Sequence, residues 1–436
     1  AFASLLLDSI RKGETFGEGE YKLVAWPTAA FVHVLGDGSE HVEPKIMKAQ
    51  QSNTSIAYGG RAILKMFRRL EEGTSPDLEI GRFLGEQGFE HTPPLAGALE
   101  FKTLNGDEPL TLAILQGFVA NQGDAWEYTL DSLEGYYDNA ASSGADNVPQ
   151  SPEGSHLLDA LDEEVPAPVR EALGSYLDSA RLLGRRTAEM HLALASDASD
   201  PAFAPEPFTP EYLRSRYESV SGLTEQAFKV LAKQAANLPE ETRNQAREVM
   251  QGRERILSRF EALLQGQVQS RFDALSHGQL DAVRTRVHGD YHLGQVLWTG
   301  SDFVIIDFEG EPVRSLKERR EKHSPLKDVT GMLRSFHYAA YAAMFSRITK
   351  GVVASERQVG IEGWADAWHK WVGAAYLKEY LNVAAAGNFL PRNPQDLRIL
   401  FDIYLLEKAV YELIYELNNR PDWIRIPLQG VRELIQ

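Results

Sequence analysis

The chain has 436 residues, with 45 Lys plus Arg against 62 Asp plus Glu, a formal charge of −17. That surplus repels phosphate backbones and anionic headgroups, which argues against nucleic acid or a membrane as partner. The absence of cysteine excludes disulfides, thiolate metal sites and a cysteine nucleophile, and it fits a reducing, cytoplasmic compartment.

The first eight residues lack the basic leader and long apolar run of a signal peptide. No stretch reaches the roughly 20 apolar residues that span a bilayer. Residues 21–26 and 31–35 are short apolar runs that predict strands, with Asp37-Gly38 as a turn after the second. Strands are also predicted at 45–50, 55–58 and 62–67, the last two joined by the hairpin signal Gly59-Gly60. Thr74-Ser75-Pro76-Asp77 opens a helix: a hydroxyl residue caps it, proline sits in the first turn, and Asp77 and Glu79 face the positive end of the dipole. Residues 99–103 and 111–116 predict an antiparallel pair around Asn105-Gly106. Beyond about residue 120, helical periodicity takes over at 173–195, 211–231, 241–264 and 400–417. The polar stretches 138–153 and 196–210 read as surface loops. A strand-rich front followed by helices implies an α+β, two-lobed architecture.

The chemistry concentrates in two segments. Val287-His-Gly-Asp-Tyr-His-Leu-Gly-Gln295 is followed by Phe303-Val-Ile-Ile-Asp-Phe-Glu309. These supply an aspartate, an amide side chain five residues later, and a second aspartate ending a buried strand. Phosphoryl transfer uses such parts: one carboxylate receives the acceptor hydroxyl proton, while the amide oxygen and other carboxylate hold Mg²⁺ against the phosphates. The spacing matches the kinase pattern H-R-D-L-x-x-x-N then D-F-G, with Gln295 in place of Asn and Asp-Phe-Glu in place of Asp-Phe-Gly. Singly, Asp290 would read as a turn residue and Asp307 as a strand-end cap; the pair at this spacing favours catalysis. Upstream, Ala62-Ile-Leu-Lys65 matches the strand lysine that reaches the α/β-phosphates, and Glu79 on the next helix is the expected partner of Lys65. No G-x-G-x-x-G precedes Lys65; Gln51-Ser52-Asn53-Thr54-Ser55 occupies that place, where short polar side chains can present backbone N–H groups to phosphate. His191 and Glu189 read as structural. The motifs of zinc peptidases, serine hydrolases and P-loop enzymes are absent.

Together these segments resemble the bacterial maltokinases, of the aminoglycoside-phosphotransferase-like branch of the eukaryotic-type kinase fold. The resemblance extends to Leu115-Gln-Gly-Phe-Val119, Gly123-Asp-Ala-Trp-Glu127, Ser324-Pro-Leu-Lys-Asp-Val-Thr-Gly-Met-Leu-Arg-Ser-Phe336 and Asn419-Arg-Pro-Asp-Trp423, from about residue 50 to the end. It implies a bilobal protein-kinase-like fold: a cap-like extension over 1–45, a nucleotide-binding lobe over 46–119 and a helical lobe over 120–436. It also implies ATP- and Mg²⁺-dependent phosphorylation of maltose at its anomeric hydroxyl, for α-glucan synthesis. Carried onto this chain, Asp290 is the base, Lys65 holds phosphate and Glu79 fixes Lys65. Ser52, Asn53, Thr54 and Ser55 cover the phosphates, Gln116, Phe118 and Val119 form the hinge beneath adenine, and Gln295 and Asp307 bind the metal. The sugar falls to Glu309, Glu311, Arg320, Asp328, Tyr415, Asn419, Arg420 and Trp423. The front segment and the missing initiator Met point to the maltokinase portion of a fusion with trehalose synthase. Two alternatives stand beside maltose: another small acceptor such as glucosamine, an aminoglycoside or a choline-like alcohol, and a catalytically silent sugar-sensing module.

Overall fold

The computed structural model describes residues 2–17, 20–36, 42–47, 53–103, 108–143, 148–153, 156–258, 280–350 and 358–435. The expected turns at Asp37-Gly38 and Asn105-Gly106, and Ser52, lie outside them. The chain forms two compact units, one of residues 1–125, 288–290 and 294–321, the other of 126–287, 291–293 and 322–436.

The first unit is built on a seven-stranded antiparallel sheet in the order β1-β2-β6-β7-β5-β4-β3. The strands are β1 (Thr15–Phe16), β2 (Tyr21–Pro27), β3 (Pro44–Ile46), β4 (Thr54–Tyr58), β5 (Ala62–Met66), β6 (Leu95–Thr103) and β7 (Leu110–Gly117). Three helices join it, α1 (Phe2–Lys12), α2 (Ala30–Leu35) and α3 (Pro76–Glu86). β1 and β2 thus share this sheet, since β2 pairs with β1 and, along its whole length, with β6. Ile10, Ala25, Phe31, Leu35, Ile56, Leu64 and Leu115 pack into its core. The Gly59-Gly60 hairpin forms as expected, both glycines at positive φ (+54° and +67°), as the tight turn between twisted strands requires.

Residues 31–35 are helical rather than a strand. A five-residue run fits either period, and burial decides: Phe31 and Leu35, four apart, enter the core while Val32 is exposed. The Thr28 hydroxyl accepts from the Ala30 N–H and starts the turn.

The second unit is helical. It holds all of α4 (Ala125–Ser143) after its first residue, then α5 (Ala167–Leu173), α6 (Tyr176–Leu194), α7 (Pro210–Gln234) and α8 (Glu240–Gln251). The minor strands β8 (Glu206–Pro207) and β9 (Val283–Arg284) pair within it. The short α9 (Leu316–Arg319) and the hairpin of β10 (Val296–Trp298) and β11 (Phe303–Ile305) belong to the first unit. The chain then closes the second with α10 (Leu326–Thr349), α11 (Gln358–Ala384), α12 (Pro394–Asn419) and α13 (Arg425–Ile435). The polar stretch expected as a loop from 138 is helical as far as Ser143, because Tyr136, Tyr137 and Ala140 are buried and the Tyr137 hydroxyl donates to the Ala340 carbonyl. Burial against α10 overrides local polarity.

α6 and α11 meet closely at Gly184, where a β-carbon would lie 2.3 Å from the Tyr376 carbonyl oxygen. Gly184→Val is expected to push the two helices apart and cost about 1–3 kcal/mol. A lower urea midpoint with an unchanged m-value is the expected signature, and an unaltered midpoint would contradict it.

His337, 3% exposed on α10, lies with Nδ1 2.8 Å from Arg334 Nη1. A guanidinium only donates, so this nitrogen accepts and the ring is neutral. Burial, then Arg334, His369 and Lys370, hold the ring pKa well below 6.5. A depressed base contributes stability that is full above its unfolded pKa and is lost as pH falls below about 6.5. His337→Gln is expected to flatten that acid limb in chemical denaturation; an identical pH profile would refute the assignment. Among the described residues no helix is long and apolar enough to cross a membrane.

Candidate functional site

Lys65 lies near the end of β5, whose Ala62 and Leu64 point into the core. The two-residue period puts Lys65 on the other face, directly across from Ser55 of β4. Its Nζ lies 3.0 Å from Asp77 Oδ2, 2.5 Å from Asp307 Oδ1 and 2.5 Å from Glu309 Oε1. The partner expected for Lys65 was Glu79; the structure sets Asp77 there instead. Helix geometry explains the exchange, because two residues on α3 are about 200° apart around the axis and cannot both face one ammonium. Glu79 accepts a bidentate pair from Arg320, at 3.2 Å from Nε and 2.8 Å from Nη2.

The loop carrying Asp290 is pinned at its start. His288 Nε2 lies 2.9 Å from the Ile306 carbonyl, which can only accept, so this nitrogen carries the proton. The His288 ring packs on Phe308, and Gly289 takes φ +89°. Asp290 itself is half-buried. Gln295 ends the loop in a short 3₁₀ turn, with β10 following and returning as β11, so Gln295 and Asp307 flank the same end of the hairpin. The Ile306 N–H donates to the Gln295 carbonyl at 3.0 Å, and the Gln295 side chain hydrogen-bonds the Asp307 carboxylate. The amide must donate in that bond, which leaves its carbonyl oxygen for a cation. Asp307 takes φ +66°, the one non-glycine at positive φ among the described residues.

Electrostatics follow from this gathering. Burial alone would lower the Lys65 pKa; Asp77, Asp307 and Glu309 outweigh it and keep the ammonium charged. Burial alone would raise Asp307, but Lys65, with help from His288 and Gln295, holds it below the usual carboxylate range. Glu309 is pushed up, chiefly by burial and then by Asp307 and Asp77, against the pull of Lys65. Asp77, Asp307 and Glu309 bring carboxylate oxygens within 4.8 Å of one another. Three carboxylates around one ammonium leave a formal negative surplus, and hard oxygen donors of this kind suit Mg²⁺. Asp307, Glu309 and the Gln295 amide oxygen are the groups that fit it.

The remaining expected residues are distributed as follows. Asn53, 7% exposed, donates to Glu309 Oε1 at 2.7 Å, so the polar loop before β4 reaches this cluster. The Thr54 hydroxyl accepts from Arg68. At the end of β7, Gln116 pairs with Ile63 and the Phe118 N–H donates to the Arg61 carbonyl, so that hinge donor is already engaged; Val119 presents its carbonyl to Asn121. Glu311 is buried and accepts from Arg314. Arg320 is engaged by Glu79 and neighbours Glu108 at 3.5 Å. In the second unit Asp328 is 1% exposed and lies 3.0 Å from His191 Nε2, with the Tyr380 hydroxyl on His191 Nδ1. Tyr415, Asn419, Arg420 and Trp423 cluster at the end of α12. There Arg420 lies over the rings of both Tyr415 and Trp423 and is held by Glu416, while Tyr338 stacks against Trp423. Asn419 donates to the Tyr415 carbonyl. The rings expected to stack on sugar thus already carry a guanidinium partner.

The sequence reading did not assign Asp77 to this cluster, treating it as an acid placed for the helix dipole. Nothing in the local pattern separates it from Glu79, and only the phase of α3 against β5 does.

The fold is of the two-lobed, kinase-like class, with Lys65, Asp77, Asp307 and Glu309 gathered in its first unit. Among curated proteins, a glucosamine kinase of Streptacidiphilus jiangxiensis is 24% identical over 425 residues, 94% of this chain and 78% of that protein. A glucosamine kinase of Mycolicibacterium smegmatis (strain ATCC 700084 / mc(2)155) is 24% identical over 427 residues, 98% and 86%. Among solved structures, a glucosamine kinase in complex with glucosamine, ADP and inorganic phosphate shares the fold with a TM-score of 0.66, at 19% identity over 100% of this chain and 83% of that one. No family model matches the chain.

Proposed function

We propose that this chain is an ATP- and Mg²⁺-dependent sugar kinase whose acceptor is maltose, phosphorylated at the anomeric hydroxyl to give maltose 1-phosphate and ADP. The observation that carries the kinase reading is Lys65 gathered with Asp77, Asp307 and Glu309, beside a loop that carries Asp290 and Gln295. In this reading the Asp290 carboxylate takes the hydroxyl proton as the acceptor oxygen bonds to the γ-phosphorus. The bond from phosphorus to the β-phosphate bridging oxygen breaks, its electron pair leaving with ADP. Lys65 holds the phosphates and Asn53 shapes the loop above them. Asp307, Glu309 and Gln295 would hold the cation, which would neutralise charge on the phosphates. The positioning of these groups is what lowers the barrier.

Maltose is favoured by the likeness of segments 324–336 and 419–423 to maltokinases. A second reading, glucosamine, is favoured by the two curated relatives, and the acidic surplus of −17 would suit a cationic acceptor. ATP consumption with maltose, glucose, glucosamine and kanamycin, followed by ³¹P NMR of the product, tests both. Fastest turnover of maltose with a phosphate on the anomeric carbon is the expected result. A preference for glucosamine selects the second reading, and no turnover of any acceptor overturns both in favour of a silent module.

A further inference from the structure

Asp77 stands at a junction between two parts of the site. Its side chain is 1% exposed and both oxygens are engaged. Oδ2 faces Lys65 Nζ at 3.0 Å, and Oδ1 accepts from the Phe308 backbone N–H at 3.1 Å. Phe308 directly follows Asp307, whose φ of +66° places an L-residue in the left-handed region. Such a conformation costs about 1–2 kcal/mol and persists only where the surroundings hold it. Two groups hold it: the Asp77 Oδ1 acceptor on one side of the peptide after Asp307, and the buried Phe308 ring against His288 on the other. Glu79 serves a different contact, since its carboxylate receives Arg320, while Arg319 and the Leu316 N–H reach Glu71 just before α3.

We propose that Asp77 is a double positioning residue, one oxygen setting Lys65 and the other setting the Asp307–Phe308 turn, so that a single buried carboxylate couples the phosphate-binding ammonium to the cation-binding aspartate. The inference rests on the kinase reading of this site. It departs from a lysine–glutamate pair in two ways: the acid comes from the first turn of α3, and it acts on the metal ligand as well as on the lysine. An aspartate has the two acceptors this task needs. Asparagine has one carbonyl oxygen for two donors, and alanine has none.

Two readouts test it. The first needs no nucleotide: the rate at which an amine-reactive anhydride acylates Lys65, followed by peptide mass spectrometry. The second is the Mg²⁺ concentration that half-saturates ADP binding in calorimetry. Asp77→Ala is expected to speed Lys65 acylation several-fold, because Nζ loses the buried 3.0 Å contact that confines it, and to raise the Mg²⁺ requirement about 10-fold or more. Asp77→Asn, nearly isosteric, must move at least one readout. Glu79→Gln is expected to leave Lys65 acylation within about twofold of wild type. A change in Lys65 reactivity without a change in Mg²⁺ requirement for Asp77→Ala overturns the second arm. If Asp77→Ala does not fold, unchanged values of both readouts in Asp77→Asn overturn the proposal. Glu79→Gln accelerating Lys65 as strongly as Asp77→Asn overturns it as well. Failure of the wild-type chain to bind nucleotide overturns the kinase reading, and the acylation readout distinguishes that failure from the failure of Asp77 to position Lys65.

Discussion

Asp290→Asn is expected to lower kcat by roughly 10²–10⁴-fold while nucleotide binding stays close to wild type. The expectation follows from what the substitution removes. An amide keeps the size and shape of the carboxylate but accepts no proton at neutral pH, so on the proposed reading the acceptor hydroxyl would lose its base. The loop geometry should persist, because it is held by groups on either side of Asp290: His288 on the Ile306 carbonyl, and the Gln295 carbonyl on the Ile306 N–H. Neither contact uses the Asp290 side chain. Steady-state kinetics with the best acceptor, paired with ADP calorimetry, checks the prediction. Normal turnover would remove Asp290 from the base role, and a parallel loss of ADP affinity would point to a structural role.

Asp307→Asn and Asp307→Ala are expected to weaken Mg²⁺-dependent nucleotide binding by at least about 100-fold, the upper end of what outer-shell partners of metal ligands contribute. The two variants separate charge from conformation. Asparagine tolerates the left-handed region well, so it keeps the backbone at φ +66° and loses only the charge. Alanine loses the charge and also strains the turn, so it should additionally lower the thermal midpoint. Asp307→Ala removes the 2.5 Å contact with Lys65, whereas Asp307→Asn keeps an acceptor oxygen there and loses only the ion pair. Unchanged Mg²⁺-dependent affinity in Asp307→Asn would show that this carboxylate does not hold the cation. On the proposed reading the formal charge of −17 should make the dependence on Mg²⁺ steep, because ATP is a polyanion and attraction to an acidic protein would have to come from the cation and Lys65.

The one-dimensional pattern constrains spatial position most where the residues lie on one short local element. Asp290, Gln295 and Asp307 sit on either side of a short hairpin, so their spacing in the chain already constrains their spacing in space. Lys65 was legible for a similar reason: a two-residue strand period puts it opposite Ala62 and Leu64. The reading was weaker where two periods fit the same residues, as at 31–35, where the core chose a helix. It was weakest for acceptor residues. Arg320 and Asp328 were expected at the sugar, yet the structure engages each with a protein partner, Glu79 and His191. Arg420 likewise lies on the rings expected to meet sugar. Polar residues suited to bind a sugar are equally suited to bind one another, and composition does not separate the two.

By itself, then, the sequence determined where the polar groups of the proposed site lie: a lysine on a strand, an aspartate and an amide on one loop, and an aspartate closing the next hairpin. It also determined the exclusions, since a chain without cysteine cannot build thiolate chemistry. Only the tertiary structure decided which acid holds Lys65. Asp77 and Glu79 are two residues apart on α3 and look alike in sequence, but a helix turns by about 100° per residue. The packing of α3 against the sheet brought Asp77 to Lys65 and to the Phe308 N–H, and turned Glu79 toward Arg320.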